Sequence, residues 1–158
     1  MKIEASINKA LNSCLRDQLT LINQTFLHAR IAKDWGLDLY NDHVYKASIR
    51  SMKFADKLIE RILFLEDLPN LQELGKLMIG EDIPEMLSCD KEIYGNVRKN
   101  LVKEIGFLET KNDYVSRDEL TEILESIEEE IDWIETQQWL IENSSLENYL
   151  QSQIGGKQ

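Results

Sequence analysis

Apolar residues recur every three or four positions along almost the whole chain, and no long segment alternates apolar with polar residues. A period near 3.6 residues places apolar side chains on one face of an α-helix, whereas a half-buried strand has a period of two. Only 2 Pro and 7 Gly occur in the 158 residues, so few positions can break a helix. The sequence therefore predicts an all-α protein with one domain spanning residues 1–158.

Breaks in this periodicity predict four long helices and a short C-terminal helix. The third helix has Asp82 as its N-cap and Pro84 in its first turn, and the fourth begins with a capping box formed by Ser116 and Glu119. Two antiparallel pairs joined by a connection of about fifteen residues give a ferritin-like four-helix bundle with one long crossover. The five predicted helices span approximately residues 5–33, 38–65, 82–108, 116–142 and 146–153.

The formal net charge of -11 argues against a nucleic-acid-binding protein, because binding to phosphates requires clustered Lys and Arg. The only two cysteines, Cys14 and Cys89, are far apart, and both are interpreted as small buried thiols. The N-terminus has no apolar signal region, and no segment has the ~18 apolar residues that a membrane span needs. The sequence thus predicts a cytoplasmic protein with neither nucleic acid nor membrane as a partner.

The first two helices each carry two apolar stripes, although an isolated bundle needs only one. We interpret the second stripe as a surface for a partner subunit. The alternatives are a wider core face, or helix edges that the terminal segment covers. The first stripes contain Leu11, Cys14, Leu21 and Thr25 on one helix and Ala47, Phe54, Leu58 and Ile62 on the other; the second stripes contain Leu19, Ile22, Asn23 and Phe26, and Tyr45, Ile49 and Met52.

No catalytic motif can be read from the chain. A metal centre in a helical bundle commonly uses Glu-x-x-His, which places both ligands on one helix face. His28 and His43 are the only histidines, and neither follows a glutamate at that spacing. The chain also lacks a P-loop, GxGxxG, GxSxG and HExxH.

Segments 26–30 (FLHAR) and 59–66 (IERILFLE) closely resemble bacterioferritin, and matching segments extend over nearly the whole chain. The resemblance implies hollow cages of 24 subunits that store iron as a mineral, with haem b bound between pairs of subunits. It also implies a di-iron ferroxidase site of four Glu and two His in the usual subunit. The further matching segments are 22–24, 68–72, 74–77, 79–82, 113–118 and 148–151.

At the positions of that di-iron site the chain departs from the family pattern, which predicts a subunit with no di-iron centre of its own. Phe54 and Ile127 have no donor atom, and only Glu130 could be a carboxylate ligand. The polar residues are expected to form a hydrogen-bonded cluster inside the bundle; a remodelled site for one metal ion is the alternative. The six positions are Gln18, Ser51, Phe54, Tyr94, Ile127 and Glu130.

Met52 matches the family's haem ligand, where two equivalent methionines from two subunits bind one haem iron. Without the resemblance, a methionine in an apolar stripe is more often ordinary packing. With it, the second stripe is predicted to pack on the porphyrin through Leu19, Ile22, Asn23, Phe26, Tyr45 and Ile49.

The resemblance also implies partners and a pore. A small ferredoxin would deliver electrons to the haem at a docking surface, and acidic residues would line a pore, although a simple turn and solvated acids are the plain alternatives. Lys46 and Arg50 stand where the cavity surface would lie and would repel ferrous ions. The docking positions are Ile31, Leu68, Asn70, Leu71, Leu77, Glu81 and Glu85, and the pore positions are Asp34, Glu66, Asp132 and Thr136.

The sequence as a whole predicts a haem-carrying subunit without ferroxidase activity, in a mixed cage whose other subunit supplies the ferroxidase sites. The alternative is a homomeric shell that stores haem or transfers electrons without oxidising iron. A third reading is an enzyme with an unusual metal at Glu130.

Overall fold

The computed structural model describes residues 1–155 and contains five α-helices, with no strand in that range. The predicted all-α bundle with a short fifth helix is confirmed, and all ten helix ends lie within two residues of the predicted positions. The helices are α1 (Ala5–Asp34), α2 (Asp38–Phe64), α3 (Ile83–Thr110), α4 (Tyr114–Asn143) and α5 (Leu146–Gln153).

Two antiparallel hairpins, α1 with α2 and α3 with α4, form the bundle. The non-helical crossover, residues 65–82, joins them, as the one long connection of a ferritin-like bundle requires. The hairpins pack through α1 against α3 and through α2 against α4, and α5 packs on α4 and α2. No helix in the described range combines the length and apolar content that crossing a membrane would need.

One predicted helix start is confirmed and one is wrong. The Asp82 side chain accepts a hydrogen bond from the Glu85 backbone N–H at 2.9 Å and caps α3. The cap of α4 is Asp113 instead of Ser116, because Asp113 accepts hydrogen bonds from the Ser116 N–H (3.1 Å) and hydroxyl (2.7 Å). Ser116 therefore lies inside the first turn, and the helix begins two residues earlier than predicted.

The cysteines differ from each other in burial. Cys14 is fully buried, as predicted, and burial raises the pKa of its thiol well above the usual value. Cys89 is only partly buried, which contradicts the prediction. The core stripe of α3 runs through Met86, Leu87 and Asp90, which leaves Cys89 at its edge.

Polar residues at every fourth position of α1 hold the crossover along that helix. Helical residues four apart lie on one face, so each of these side chains meets the next part of the crossover. We call this row the polar ladder. Its contacts are Asn70 N–H to Asn12 Oδ1 (2.8 Å), Arg16 Nε with Glu73 Oε1 (3.5 Å), Gly75 N–H to Thr20 Oγ1 (2.8 Å), Met78 N–H to Gln24 Oε1 (3.0 Å) and Gly80 N–H to His28 Nε2 (3.0 Å).

The apolar residues between these contacts face outward. Exposure falls along the crossover from 78% at Leu68 and 55% at Leu71 to 37% at Leu77. Five exposed apolar side chains on one connection are a feature of surfaces that meet a partner. This crossover row consists of Leu68, Leu71, Leu74, Leu77 and Ile79.

Gly80 is required where the crossover meets α3. A Cβ at this position would overlap the backbone N of Met86, and backbone cannot move aside cheaply. We therefore expect Gly80→Ala to lower the free energy of unfolding by about 2 kcal/mol, as overpacking does.

Denaturant titration would measure this effect, with Gly95→Ala on α3 as the control. A Cβ at Gly95 would meet nothing within 4 Å, so this change should raise stability by roughly 0.5–1 kcal/mol. Equal stability of the two variants would contradict the close contact at Gly80.

Candidate functional site

The six positions predicted to correspond to a di-iron site lie in the bundle interior. Phe54 is half-buried and packs against the core, and the other five residues are buried. Tyr94 and Ile127 are themselves part of the hydrophobic core. Side-chain carbon therefore occupies much of the bundle centre, as the residue types predict. The five buried residues are Gln18, Ser51, Tyr94, Ile127 and Glu130.

Glu130 is the only carboxylate among these six residues, and two α2 side chains bind it. His43 Nε2 lies 2.9 Å and 3.1 Å from its two oxygens, and Arg50 Nη2 donates to Oε2 at 3.0 Å. The Glu130 side chain is 6% exposed, whereas those of His43 and Arg50 are 32% and 42% exposed. Two basic groups thus reach inward from the bundle surface to one buried carboxylate.

Aromatic contact fixes the His43 ring. It stacks on Trp133 with ring centroids 3.7 Å apart and an interplanar angle of 8°. The hydrogen bond from Nε2 to Glu130 fixes the edge of the imidazole ring, and the indole of Trp133 packs on its face. His43 was not among the predicted site residues, because the sequence does not show which carboxylate it reaches.

The predicted hydrogen-bonded polar cluster does not form. Within residues 1–155 no hydrogen bond joins any two of Gln18, Ser51, Tyr94 and Glu130, and neither polar atom of Gln18 has a partner. Bonds to charged groups are roughly twice as strong as neutral ones. Glu130 therefore pairs with Arg50 and His43 in preference to its neutral neighbours.

Tyr94 is a neutral phenol in this environment. Burial raises its pKa well above the usual value, the negative charges of Glu130 and Asp90 raise it further, and Arg50 partly offsets them. A tyrosine ligand normally binds as the phenolate, so a raised pKa makes Tyr94 a poor metal ligand at neutral pH.

Arg50 and His43 belong to a wider set of contacts between α2 and α4, which we call the α2–α4 seam. Its basic residues follow one face of α2, and their partners follow α4 in the antiparallel direction. Lys46 and Lys53 lie on the same basic stripe but are exposed, without an ion pair in the described chain. The seam contacts are Arg61–Asp113 (3.0 Å), Lys57–Glu122 (3.2 Å), Arg50–Glu130 (3.0 Å) and His43–Glu130 (2.9 Å).

The seam gives Arg50 a contact that the sequence did not predict. The sequence placed it with Lys46 on the cavity surface, as a group that repels ferrous ions, and the structure adds that its guanidinium donates to Glu130. A signal was present in the sequence, because His43, Arg50 and Lys57 recur every seven residues and so share one helix face. Across residues 1–155, no group of three or more His, Cys, Asp or Glu side chains is arranged to hold a metal ion.

Two variants separate the buried part of the seam from its exposed part. Arg50→Ala should lower the free energy of unfolding by about 1–2 kcal/mol, because it removes one partner of a buried carboxylate while His43 remains. Lys57→Ala should change it by less than about 0.5 kcal/mol, since Lys57 and Glu122 are both half-exposed. Denaturant titration would compare them, and equal losses would contradict the importance of the buried acceptor.

The second apolar stripe lies on the outer face of the α1–α2 hairpin. Met52 is 51% exposed and Phe26 47% exposed. These two side chains are therefore neither part of the core face nor covered by α5 in the single subunit, whereas Leu19, Ile22 and Tyr45 pack partly against the core. Asn23 is also exposed, and the partly buried members are Leu19, Ile22, Tyr45 and Ile49.

Arg30 lies at one end of this stripe and contacts two of its aromatic rings. Its guanidinium carbon lies 4.4 Å from the Tyr45 ring centroid and 5.4 Å from that of Phe26, at cation–π distance. The two rings are 6.2 Å apart. Met52 adds an exposed thioether, a soft metal ligand, to this apolar stripe.

The predicted docking residues fall into two groups. Leu68, Asn70 and Leu71 lie at the start of the crossover, and the others lie near its end. The ladder contacts at positions 12 and 28 of α1 are separated by about 24 Å, at a rise of about 1.5 Å per residue. One subunit therefore does not bring all seven into one groove. The second group contains Ile31, Leu77, Glu81 and Glu85.

The predicted pore residues are all exposed but are also separated. Asp34 ends α1, and Glu66 follows α2 at the opposite end of the hairpin. The 27 residues of α2 span about 40 Å, so these two acids are far apart in one subunit. Asp132 and Thr136 lie on α4. Only an assembly of subunits could bring the four together.

Comparisons with known proteins place this chain among ferritin-like proteins. A family model described as a ferritin-like domain matches residues 8–144. The "Bacterial ferritin" of Synechocystis sp. is 38% identical over 155 residues, which cover 98% of this chain and 99% of that protein. The "Bacterioferritin" of Rhodobacter capsulatus is 38% identical over 137 residues (87% and 85%), and that of Brucella melitensis biotype 1 is 36% identical over 149 residues (94% and 92%).

Proposed function

The chain belongs to the bacterioferritin family, and from that premise we propose that it is a haem-carrying subunit of an iron-storage cage that does not itself oxidise ferrous iron. In this proposal a second, ferroxidase-active subunit shares the cage. This chain contributes shell, haem and a surface where electrons enter, and it acts in the cytoplasm.

The engagement of Glu130 by Arg50 and His43 is the observation that carries the proposal. Two ferrous ions in a dry core need several deprotonated oxygen or imidazole ligands. A metal ion at Glu130 would have to displace two basic groups, and it would find no donor atom on Phe54 or Ile127. This arrangement also counts against an unusual metal enzyme at Glu130.

The exposed stripe around Met52 supports the haem part of the proposal. The Met52 thioether would be one axial ligand, and a second copy would supply the other across a shared surface. Its apolar neighbours, Ile22 and Ile49 among them, would exclude water from the porphyrin faces. When bound, haem b would supply one-electron transfer.

The crossover row supports electron entry. Leu68 and Leu71 present exposed apolar surface, and the acidic residues Glu81 and Glu85 lie near the other end of the crossover. An apolar patch with a charged rim is a common form of protein-binding surface. We assign it to a small ferredoxin, with each docking surface built from two subunits.

The mixed cage is proposed because Met52 is kept at the predicted haem position, while Phe54 and Ile127 offer no donor atom at the predicted di-iron positions. A homomeric shell for haem storage or electron transfer is the second candidate. The exposed stripe favours it equally, because two copies of this chain suffice to provide two methionines.

Two measurements test the proposal. The purified homomeric protein, supplied with ferrous iron and oxygen, should show no saturable phase of oxidation in proportion to subunits, and such a phase would refute the inactive centre. Mass analysis of cages isolated from the native host should find this chain together with a second subunit. Cages of this chain alone would favour the homomeric shell instead.

A further inference from the structure

Gln24 lies on α1 and its side chain is fully buried. Its side-chain amide pairs with the backbone of the crossover as a neighbouring β-strand would. Its Oε1 accepts the Met78 backbone N–H at 3.0 Å, and its Nε2 donates to the Met78 carbonyl oxygen. The second Nε2 hydrogen goes to Asp90 Oδ1 on α3, at 2.9 Å. One amide thus satisfies both main-chain groups of Met78 and ties α1, the crossover and α3 together.

His28 makes a second tie one turn further along α1. The Gly80 N–H donates to His28 Nε2 at 3.0 Å, so the ring proton is on Nδ1, which donates to Asp90 Oδ1 at 2.9 Å. His28 is fully buried and Asp90 is 4% exposed. We call Gln24, His28 and Asp90, with the backbone of Met78 and Gly80, the crossover clamp.

The clamp determines which side chains face out. Met78 and Gly80 turn inward to its hydrogen bonds, while Leu77 and Ile79 are 37% and 38% exposed. This alternation is that of an extended chain held on one side. Leu77 is a predicted docking residue, so its outward direction depends on the bonds made at Met78.

Gln24 also lies beside the predicted haem-binding stripe. Asn23, the residue before Gln24, is an exposed member of the second stripe. A single turn of α1 therefore carries a residue of the predicted haem surface and the anchor of the predicted docking surface. In a rigid helix these two surfaces keep one relative position.

We propose that Gln24 is a positioning residue for electron entry, which fixes Leu77 and the end of the crossover in the conformation that the electron donor binds. The inference rests on the proposed function, because the donor is the small ferredoxin proposed above. An unclamped crossover end would have to be ordered when the donor docks, and that ordering reduces affinity.

The test compares Gln24→Met with Thr20→Val in the haem-loaded, assembled protein. Gln24→Met keeps the side-chain length but removes the polar atoms, whereas Thr20→Val releases the crossover at Gly75, away from Leu77. Three quantities are measured: amide hydrogen exchange at Met78 and Gly75, the Kd for purified small ferredoxin of the same host, and the haem absorption spectrum.

For Gln24→Met we expect at least about tenfold faster exchange at Met78 and about a tenfold higher Kd, with an unchanged haem spectrum. For Thr20→Val we expect faster exchange at Gly75 and a Kd within about twofold of wild type. If Gln24→Met does not assemble, Gln24→Asn serves instead, because its amide is too short to reach Met78.

Unchanged exchange at Met78, or an unchanged Kd despite faster exchange, would overturn the inference. So would equal increases in Kd for the Gln24 and Thr20 variants. A wild-type cage that binds no ferredoxin would contradict the proposed electron entry itself, and the inference with it. The wild-type measurement therefore distinguishes the two failures.

Discussion

Met52→Leu is expected to leave the assembled protein without haem. Leucine matches the volume of methionine but has no sulfur, so the change removes the only thioether in the second stripe. Met52 is 51% exposed, and volume-conserving exchanges disturb packing little, so the bundle should remain folded. The haem absorbance per subunit of the purified cage measures the effect.

Met86→Leu is the matched control for this experiment. It makes the same chemical change at a fully buried position in the core of α3. We expect it to keep the full haem content at a stability cost below about 1.5 kcal/mol. Haem content that is unchanged in Met52→Leu, or lost equally in both variants, would show that the thioether of Met52 is not the ligand.

Asp90→Ala is expected to produce the largest loss of stability among single changes in the polar interior. Asp90 Oδ1 accepts from Gln24 Nε2 and from His28 Nδ1, and both donors are fully buried. Removing the carboxylate leaves the imidazole N–H without an acceptor, which costs the full desolvation of that group. We expect the free energy of unfolding to fall by about 3 kcal/mol.

Glu92→Ala provides the comparison on the same helix. Glu92 is exposed and makes no ion pair within the described part of the chain, so its loss should change stability by less than about 0.5 kcal/mol. Denaturant titration would measure the loss in free energy of unfolding. Amide hydrogen exchange at Gly80 would show whether the loss comes from the crossover clamp. A small effect of Asp90→Ala with Gly80 still protected would mean that water replaces the carboxylate.

The helices were predictable because periodicity and capping are local properties. The fifth helix, Leu146–Gln153, has the predicted bounds, and the side chain of Asp82 caps α3 as expected. The start of α4 was missed because both Asp113 and Ser116 are good capping residues. Only the loop geometry, with Asn112 at φ 59°, decides between them.

The long-range polar contacts were not predictable in the same way. The polar ladder has a clear period of four in the sequence, but such a pattern is also typical of a solvent-exposed face. Its meaning depends on the crossover that covers Gln24 and His28. The α2–α4 seam depends similarly on the reach of a long side chain, since Arg50 pairs with Glu130, eighty positions away in the chain.

The pairing of Glu130 with Arg50 and His43 has a consequence for the subunit during iron shortage. The buried carboxylate of Glu130 is paired with side chains of the same polypeptide, which cannot diffuse away as a metal ion can. Folding of the bundle centre then needs no metal from the medium, and chelators should leave its unfolding midpoint unchanged. In a newly made subunit, the ion pairs of Glu130 form as soon as the two hairpins pack together, before any metal ion binds.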